Sequence, residues 1–105
     1  MSREQKNDLA DIDRLIHEPA RLVLCTILYT VDEADFLFLL RESGLTKGNL
    51  SSHLMKLENA GYIVITKQFK DKKPQTLCKM TDEGRDAFEH YRKQVQKIMQ
   101  RMNGE

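Results

Sequence analysis

Between Phe36 and Gly61, two apolar-patterned segments meet across only three residues, Gly44-Leu45-Thr46. Gly44 is a stop signal, because glycine readily enters the left-handed conformation that ends a helix. Thr46 is a start signal, since its hydroxyl can accept an amide of the next turn. Periodicity alone leaves Ala34 to Leu40 open to strand or helix. A very short extended entry at Ala34-Asp35, then a helix from about Phe36 to Ser43 with Arg41-Glu42 at its polar end, agrees with the stop at Gly44. The following helix runs from Thr46 to about Asn59 or Ala60. It sets Leu50, Leu54 and Leu57 on one face, with Gly61 just past its end. Two helices joined this tightly, with Leu45 as a single apolar plug, have the shape of a helix-turn-helix.

The flanking segments extend this unit. Leu9, Ile12, Leu15 and Ile16 recur at helical spacing and predict a helix from Asp8 to Ile16, capped by Asn7 or Asp8. Glu18-Pro19 opens a second helix, whose Leu22, Val23, Ile27 and Leu28 are read as largely buried up to Thr30. After Gly61, β-branched Ile63, Val64, Ile65 and Thr66 predict a strand from Tyr62 to Phe69. Lys70 to Pro74 is read as a turn and Gln75 to Met80 as the returning strand. Thr81 caps a last helix from Asp82 to about Met102, with Asp82 and Glu83 in its first turn. The expected class is α+β, mainly α: a winged helix-turn-helix with a three-helix core, a β-hairpin wing, an N-terminal helix and a long C-terminal helix.

With 105 residues, one domain spanning 1–105 is expected, its core at about 20–80. No apolar run approaches the ~18 residues of a membrane span, and the N-terminus lacks the apolar stretch of a secretory signal. Cys25 and Cys78 match no metal or redox spacing, so reduced, buried thiols and a cytoplasmic location are expected. The formal charge of +1 hides a gradient. Residues 1–40 carry four basic against eight acidic residues, a balance of −4, whereas residues 41–80 carry eight against three, +5. A basic middle third suits a polyanion; it equally suits a solvated lysine-rich loop.

From Pro19 to Tyr91 the chain resembles the small winged-helix regulators of the MarR and ArsR groups. The stretch from Leu50 through His53-Leu54 and Leu57-Glu58 to Gly61-Tyr62-Ile63 is similar to the recognition-helix signature of that family. Met80-Thr81-Asp82-Glu83-Gly84-Arg85 is similar to the segment that follows its wing. The resemblance implies a homodimeric regulator of transcription that binds double-stranded DNA, with a recognition helix at about 46–60 and a wing at about 67–75. It also implies a small-molecule effector of unknown identity. Relatives of the ArsR type hold metals with clustered cysteines, a run absent here, so no metal sensor is expected.

The residues themselves point the same way. With Leu50, Leu54 and Leu57 inward, the outer face of 46–60 carries Thr46, Lys47, Gly48, Asn49, Ser51, Ser52, Met55, Lys56 and Asn59. Asn49 suits adenine, Ser51 and Ser52 suit bases or phosphates, Lys47 and Lys56 suit phosphates, and Gly48 keeps the tip slim. The same polar groups would also merely solvate an exposed face. Lys67, Lys70, Lys72 and Lys73 suit phosphates along the wing, and lysines and proline also protect a sheet edge from pairing. His53, between the two faces, suits either a phosphate or packing against a neighbouring helix. In the last helix Gly84, Phe88, Tyr91, Val95, Ile98 and Met102 form an a/d seam. With Leu9 and Ile12, the side chains of Phe88, Tyr91, Val95, Ile98 and Met102 are the expected dimer interface; the alternative cover is the N-terminal helix of the same chain. Arg14, Arg21 and Tyr29 are candidate contacts for an anionic or phenolic effector.

No nucleophile elbow, phosphate loop or metal-ligand spacing appears, so no catalysis and no cofactor are expected. The competing functions are a winged helix that binds protein without DNA, which should show apolar residues where Met55 is the only large one, and an RNA binder, for which Phe69 is the nearby stacking candidate.

Overall fold

The computed structural model describes residues 11–104. It contains helix α1 (Pro19–Thr30), strand β1 (Ala34–Asp35), α2 (Phe36–Ser43), α3 (Lys47–Asn59), β2 (Ile63–Lys70), β3 (Lys73–Met80) and α4 (Asp82–Met102). The antiparallel sheet has the order β1-β3-β2. This is the expected winged helix-turn-helix: α1, α2 and α3 form the core and β2–β3 the wing.

Each helix starts where a side chain takes over an orphan amide. Glu18 accepts from the Arg21 amide at 2.8 Å, with Pro19 in the first turn. Asp35 accepts from Phe38 at 2.7 Å, Thr46 from Asn49 at 3.2 Å, and Thr81 from Gly84 at 2.9 Å. Gly44 ends α2 at φ 72°, as the stop signal predicts. At the end of α3, the Tyr62 amide donates to Leu57 O and the Gly61 amide to Glu58 O, with Gly61 at φ 81°. That pairing is the Schellman closure.

Leu50, Leu54 and Leu57 of α3 meet Leu24, Cys25 and Leu28 of α1, Leu39 of α2, and Ile63, Cys78 and Met80 of the sheet in one core. Burial of each such leucine contributes about 2 kcal/mol. The ambiguous stretch resolves as both alternatives in sequence. Ala34 and Asp35 pair with Cys78 and Leu77, and the helix follows at once because Asp35 caps it.

Two segments depart from expectation. Residues 11–18 form turns, not the end of a helix. Asp13 bends the chain there by accepting from the amides of Leu15 and Ile16 at 2.9 and 3.1 Å, while Ile12 and Ile16 drop into the core. The remainder of the predicted 8–16 helix, with Leu9, lies outside the described residues. The hairpin turn is also shorter than the expected 70–74. The strands run on to the Lys70–Lys73 pair, leaving only Asp71 and Lys72 in the turn, at φ 53° and 65°. Positive φ at both central residues is the mirror-type turn whose twist matches a hairpin. Sequence suggested a longer loop because neither residue is glycine.

α3, the hairpin and α4 join at one corner. The Thr81 hydroxyl donates to Gly61 O at 2.7 Å and the Thr81 amide to Tyr62 O at 3.0 Å. Gly84 lies so close beneath that a Cβ would stand 2.1 Å from Tyr62 O. A methyl group there must push backbone apart, and overpacking typically costs 1–3 kcal/mol. Gly84→Ala is therefore expected to destabilise the protein by about 2 kcal/mol or more in denaturant unfolding; unchanged stability would contradict this corner geometry.

Candidate nucleic-acid interface

With its three leucines buried, α3 turns Lys47, Gly48, Asn49, Ser51, Ser52, Met55, Lys56 and Asn59 to solvent. Thr46 is exposed too, but its hydroxyl is engaged as the cap on the Asn49 amide. Gly48 has no internal packing reason: a Cβ there would meet nothing within 4 Å. A helical glycine costs up to about 1 kcal/mol relative to alanine. Internal packing therefore does not require a glycine at this position.

His53 is half-buried, and its Nδ1 lies 3.1 Å from Arg21 Nη1. Glu18 Oε1 lies 3.9 Å from the same ring nitrogen. Arg21 is itself buried; its Nε donates to Leu15 O at 2.6 Å. Nearby, Glu18 is held below the ordinary carboxylate range, chiefly by the Arg21 amide. Packing is thus the role His53 plays within the fold. Arg21, a candidate effector contact by sequence, is instead an internal bracket tying residues 11–18 and α1 to α3. The same bracket has a second strut, since the Tyr62 hydroxyl donates to Asp13 Oδ2 at 2.6 Å. Burial and this carboxylate raise the Tyr62 phenol well above its ordinary range. No local pattern signals these pairs, whose members lie far apart in the chain.

The wing lysines are all exposed, but they do not share a face. Buried Ile63, Cys78 and Met80, with half-buried Ile65, define the inner face of the hairpin. Side chains alternate along a strand, so Lys67 and Phe69 lie on that face, opposite Thr76 and Pro74. Lys67 and Thr76 line a cleft of about 380 Å³ together with Ser51 and Met55 of α3. Lys70 and Lys73 are a register pair on the outer face, and Lys72 sits in the turn. The first turns of α3 and Lys67 are therefore brought together, with the remaining cations arrayed around the tip. Pro74 pairs with Phe69 beyond the reach of β1, where its missing amide breaks no bond to that strand.

The a/d seam of α4 divides in two. Gly84, Phe88 and Tyr91 are buried in the protein's own core. Tyr91 OH is 2.8 Å from His17 Nδ1, and Gln94 Nε2 donates to Asp11 O at 2.7 Å. The N-terminal segment covers this half, as the alternative reading of the seam had it. Ile12, Phe88 and Tyr91, expected at the dimer interface, are 6%, 5% and 4% exposed within one copy. Val95 and Ile98 are half-buried, and Met99 and Met102 are exposed, 55% and 78%. Between α1 and α4 lies a cavity of about 780 Å³, lined by Leu22, Tyr29, Phe88, Glu89, Arg92 and Val95 among others. Tyr29 donates to Glu89, and Arg85 and Arg92 lie 5.4 and 5.9 Å from its ring. Arg14 is exposed.

Cys25 and Cys78 are free and fully buried, as expected. Burial pushes their thiols up to about 12 and about 11, leaving almost no reactive thiolate at neutral pH. Among the described residues, no group of three or more His, Cys, Asp or Glu could hold a metal ion, and no helix is long and apolar enough to cross a membrane.

The strained turn yields a stability prediction. Lys72→Gly relieves a positive φ and is expected to stabilise the fold by about 1 kcal/mol in thermal unfolding. A drop in stability would mean that the Lys72 side chain packs in a way this geometry lacks.

Residues 20–99 match the family profile of the winged helix DNA-binding domain. An uncharacterized protein of Methanocaldococcus jannaschii is 32% identical over 78 residues, 74% of this chain and 85% of the relative. A solved transcriptional regulator homologue from Pyrococcus horikoshii OT3 superposes with a TM-score of 0.85 at 25% identity, covering 96% of this chain and 98% of that one. A regulator assigned to the MarR family, from Enterococcus faecalis V583, shares the fold at 18% identity and TM-score 0.74, covering 99% and 92%. The chain belongs to the winged helix DNA-binding domain family and has the fold of MarR-type transcriptional regulators.

Proposed function

We propose that this protein is a sequence-specific, duplex-DNA-binding transcriptional regulator that acts as a homodimer and catalyses no reaction. The observation that carries the proposal is the joint exposure of the first turns of α3 and the lysines of the wing, meeting at the Ser51–Lys67 cleft. A major groove admits one α-helix, whose first turns reach base edges. Asn49, Ser51 and Ser52 read bases, Lys47 and Lys56 meet phosphates, and Lys67, Lys70, Lys72 and Lys73 follow the backbone beyond the groove. The amide end of α3 adds a further anion contact. His53 takes no direct part beyond fixing α3 against Arg21.

The dimer forms through the distal half of α4, where half-buried Val95 and Ile98 at the edge of the core and exposed Met102 continue the seam. Two copies then place recognition helices at half-sites about one helical turn apart. The cavity between α1 and α4 falls within the size range of small-molecule sites and adjoins this interface, which supports it as the seat of an effector. Tyr29 and Arg92 would supply its polar contacts.

Selection of bound sequences from random duplexes at two salt concentrations tests the DNA reading. An enriched palindrome is expected; the absence of binding at any salt would favour a protein partner on the same face. On the selected duplex, Lys72→Ala with Lys73→Ala should weaken binding to all sequences and lower the salt slope by up to ~2. Asn49→Ala should instead relax one base position at a cost of about 1–3 kcal/mol. Equal losses on selected and random duplex would remove Asn49 from the base-reading set.

Met99→Asp with Met102→Asp alters only exposed side chains, so the fold should persist while sedimentation shifts from dimer to monomer. A dimer unaffected by the pair would place the interface elsewhere.

A further inference from the structure

We propose that Phe69 is a specificity-determining residue of the wing, an apolar wedge that enters the DNA minor groove and selects deformable base steps beside the half-site. This rests on the DNA-binding reading and names what one further side chain does within it.

Phe69 is 77% exposed, although burying a phenylalanine ordinarily stabilises a fold by about 2 kcal/mol. It packs into no core of its own chain. Its cross-strand neighbour is Pro74, so the two form an apolar step near the tip of a strand pair otherwise rich in lysine and glutamine. Alternation puts Phe69 on the same hairpin face as Lys67, which lines the cleft with Ser51 and Met55. The ring is therefore displayed on the side that carries the recognition helix, not on the back of the wing.

Its reach is fixed by strand geometry. Phe69 stands four residues beyond Ile65, the last residue of β2 packed on the core, or about 13 Å at ~3.3 Å per residue. With α3 in a major groove ~12 Å wide, that length carries the tip past the phosphate ridge to the neighbouring minor groove. Charge selects the occupant. Lys67 shares the face of the ring, Lys70 and Lys73 lie on the opposite face and Lys72 in the turn, so four cations stand within four residues of Phe69 or its partner Pro74, against Asp71 at the tip and Asp35 and Glu58 nearer the core. The wing has no arginine between Tyr62 and Met80 that could enter a narrow minor groove as a cation. An apolar side chain flanked by cations acts differently, by leaning between base pairs and favouring steps that unstack easily.

The test uses the full chain and the duplex obtained by selection. Variants of that duplex place a TA, CA or AA step in turn at the flanking minor groove. The wild type should prefer the flexible TA and CA steps over AA by roughly tenfold, within the range of one base-stacking contact. Phe69→Ala should erase that preference while leaving the salt slope unchanged. Phe69→Leu should keep most of it. Phe69→Lys should lose the preference and steepen the slope by about 0.9, the increment of one added phosphate contact. If Phe69 only braces the hairpin against Pro74, thermal stability falls in Phe69→Ala with step preference intact, and the proposal is overturned. A loss confined to single-stranded RNA competitors would also overturn it. Failure of the wild type to bind any duplex would instead remove the DNA-binding reading on which it rests.

Discussion

The contact of Gly84 with the Tyr62 carbonyl, closed by the two hydrogen bonds of Thr81, fixes the relation of everything on either side of it. Gly61 ends α3, Tyr62 begins the strand, Thr81 ends the returning strand, and Gly84 sits in the first turn of α4. α3 and the hairpin leave this corner at an angle to one another. Here that angle is set by backbone atoms in contact, a constraint stiffer than side-chain packing. The same corner sets the direction in which α4 leaves the core.

A second bracket holds α3 from the other side. Arg21 is tied to Leu15 O, Glu18 and His53, and Tyr62 is tied to Asp13. Residues 11–18, α1 and α3 thereby share one part-buried polar network, in which the Arg21 guanidinium is paired with Glu18 and hydrogen-bonded to Leu15 O and His53. Such networks favour one arrangement over neighbouring ones, because each unpaired group would be costly. α4 is joined to the same segment through Tyr91 and Gln94. The cavity between α1 and α4 is therefore walled by elements that position α3.

Much of this architecture was legible in the sequence, because its signals are local. Gly44, Thr46, Gly61 and Thr81 mark helix ends by short-range hydrogen bonding, and Leu50, Leu54 and Leu57 mark a face by spacing. The alternation of β2 is equally local. What sequence missed depends on pairs distant in the chain. Arg21 looks like a surface cation until His53 and Leu15 are brought to it, and Phe88 and Tyr91 look like a free seam until Tyr29 and His17 meet them. The turn at Asp71-Lys72 was hidden for another reason: its residues lack the glycine that normally announces positive φ. The division of the wing lysines between two faces follows from a register that the shorter turn fixes. The outward face of α3 was legible residue by residue, whereas its meeting with Lys67 was not.

On the proposed function, the first turns of α3 and the wing form one DNA-binding surface. Backbone amide shifts of the labelled protein, followed by NMR as duplex DNA is added, test it most directly. The largest changes are expected at residues 46–56 and 67–73, with little change along the middle of α1. Changes concentrated on the distal half of α4, with α3 and the wing unmoved, would contradict it.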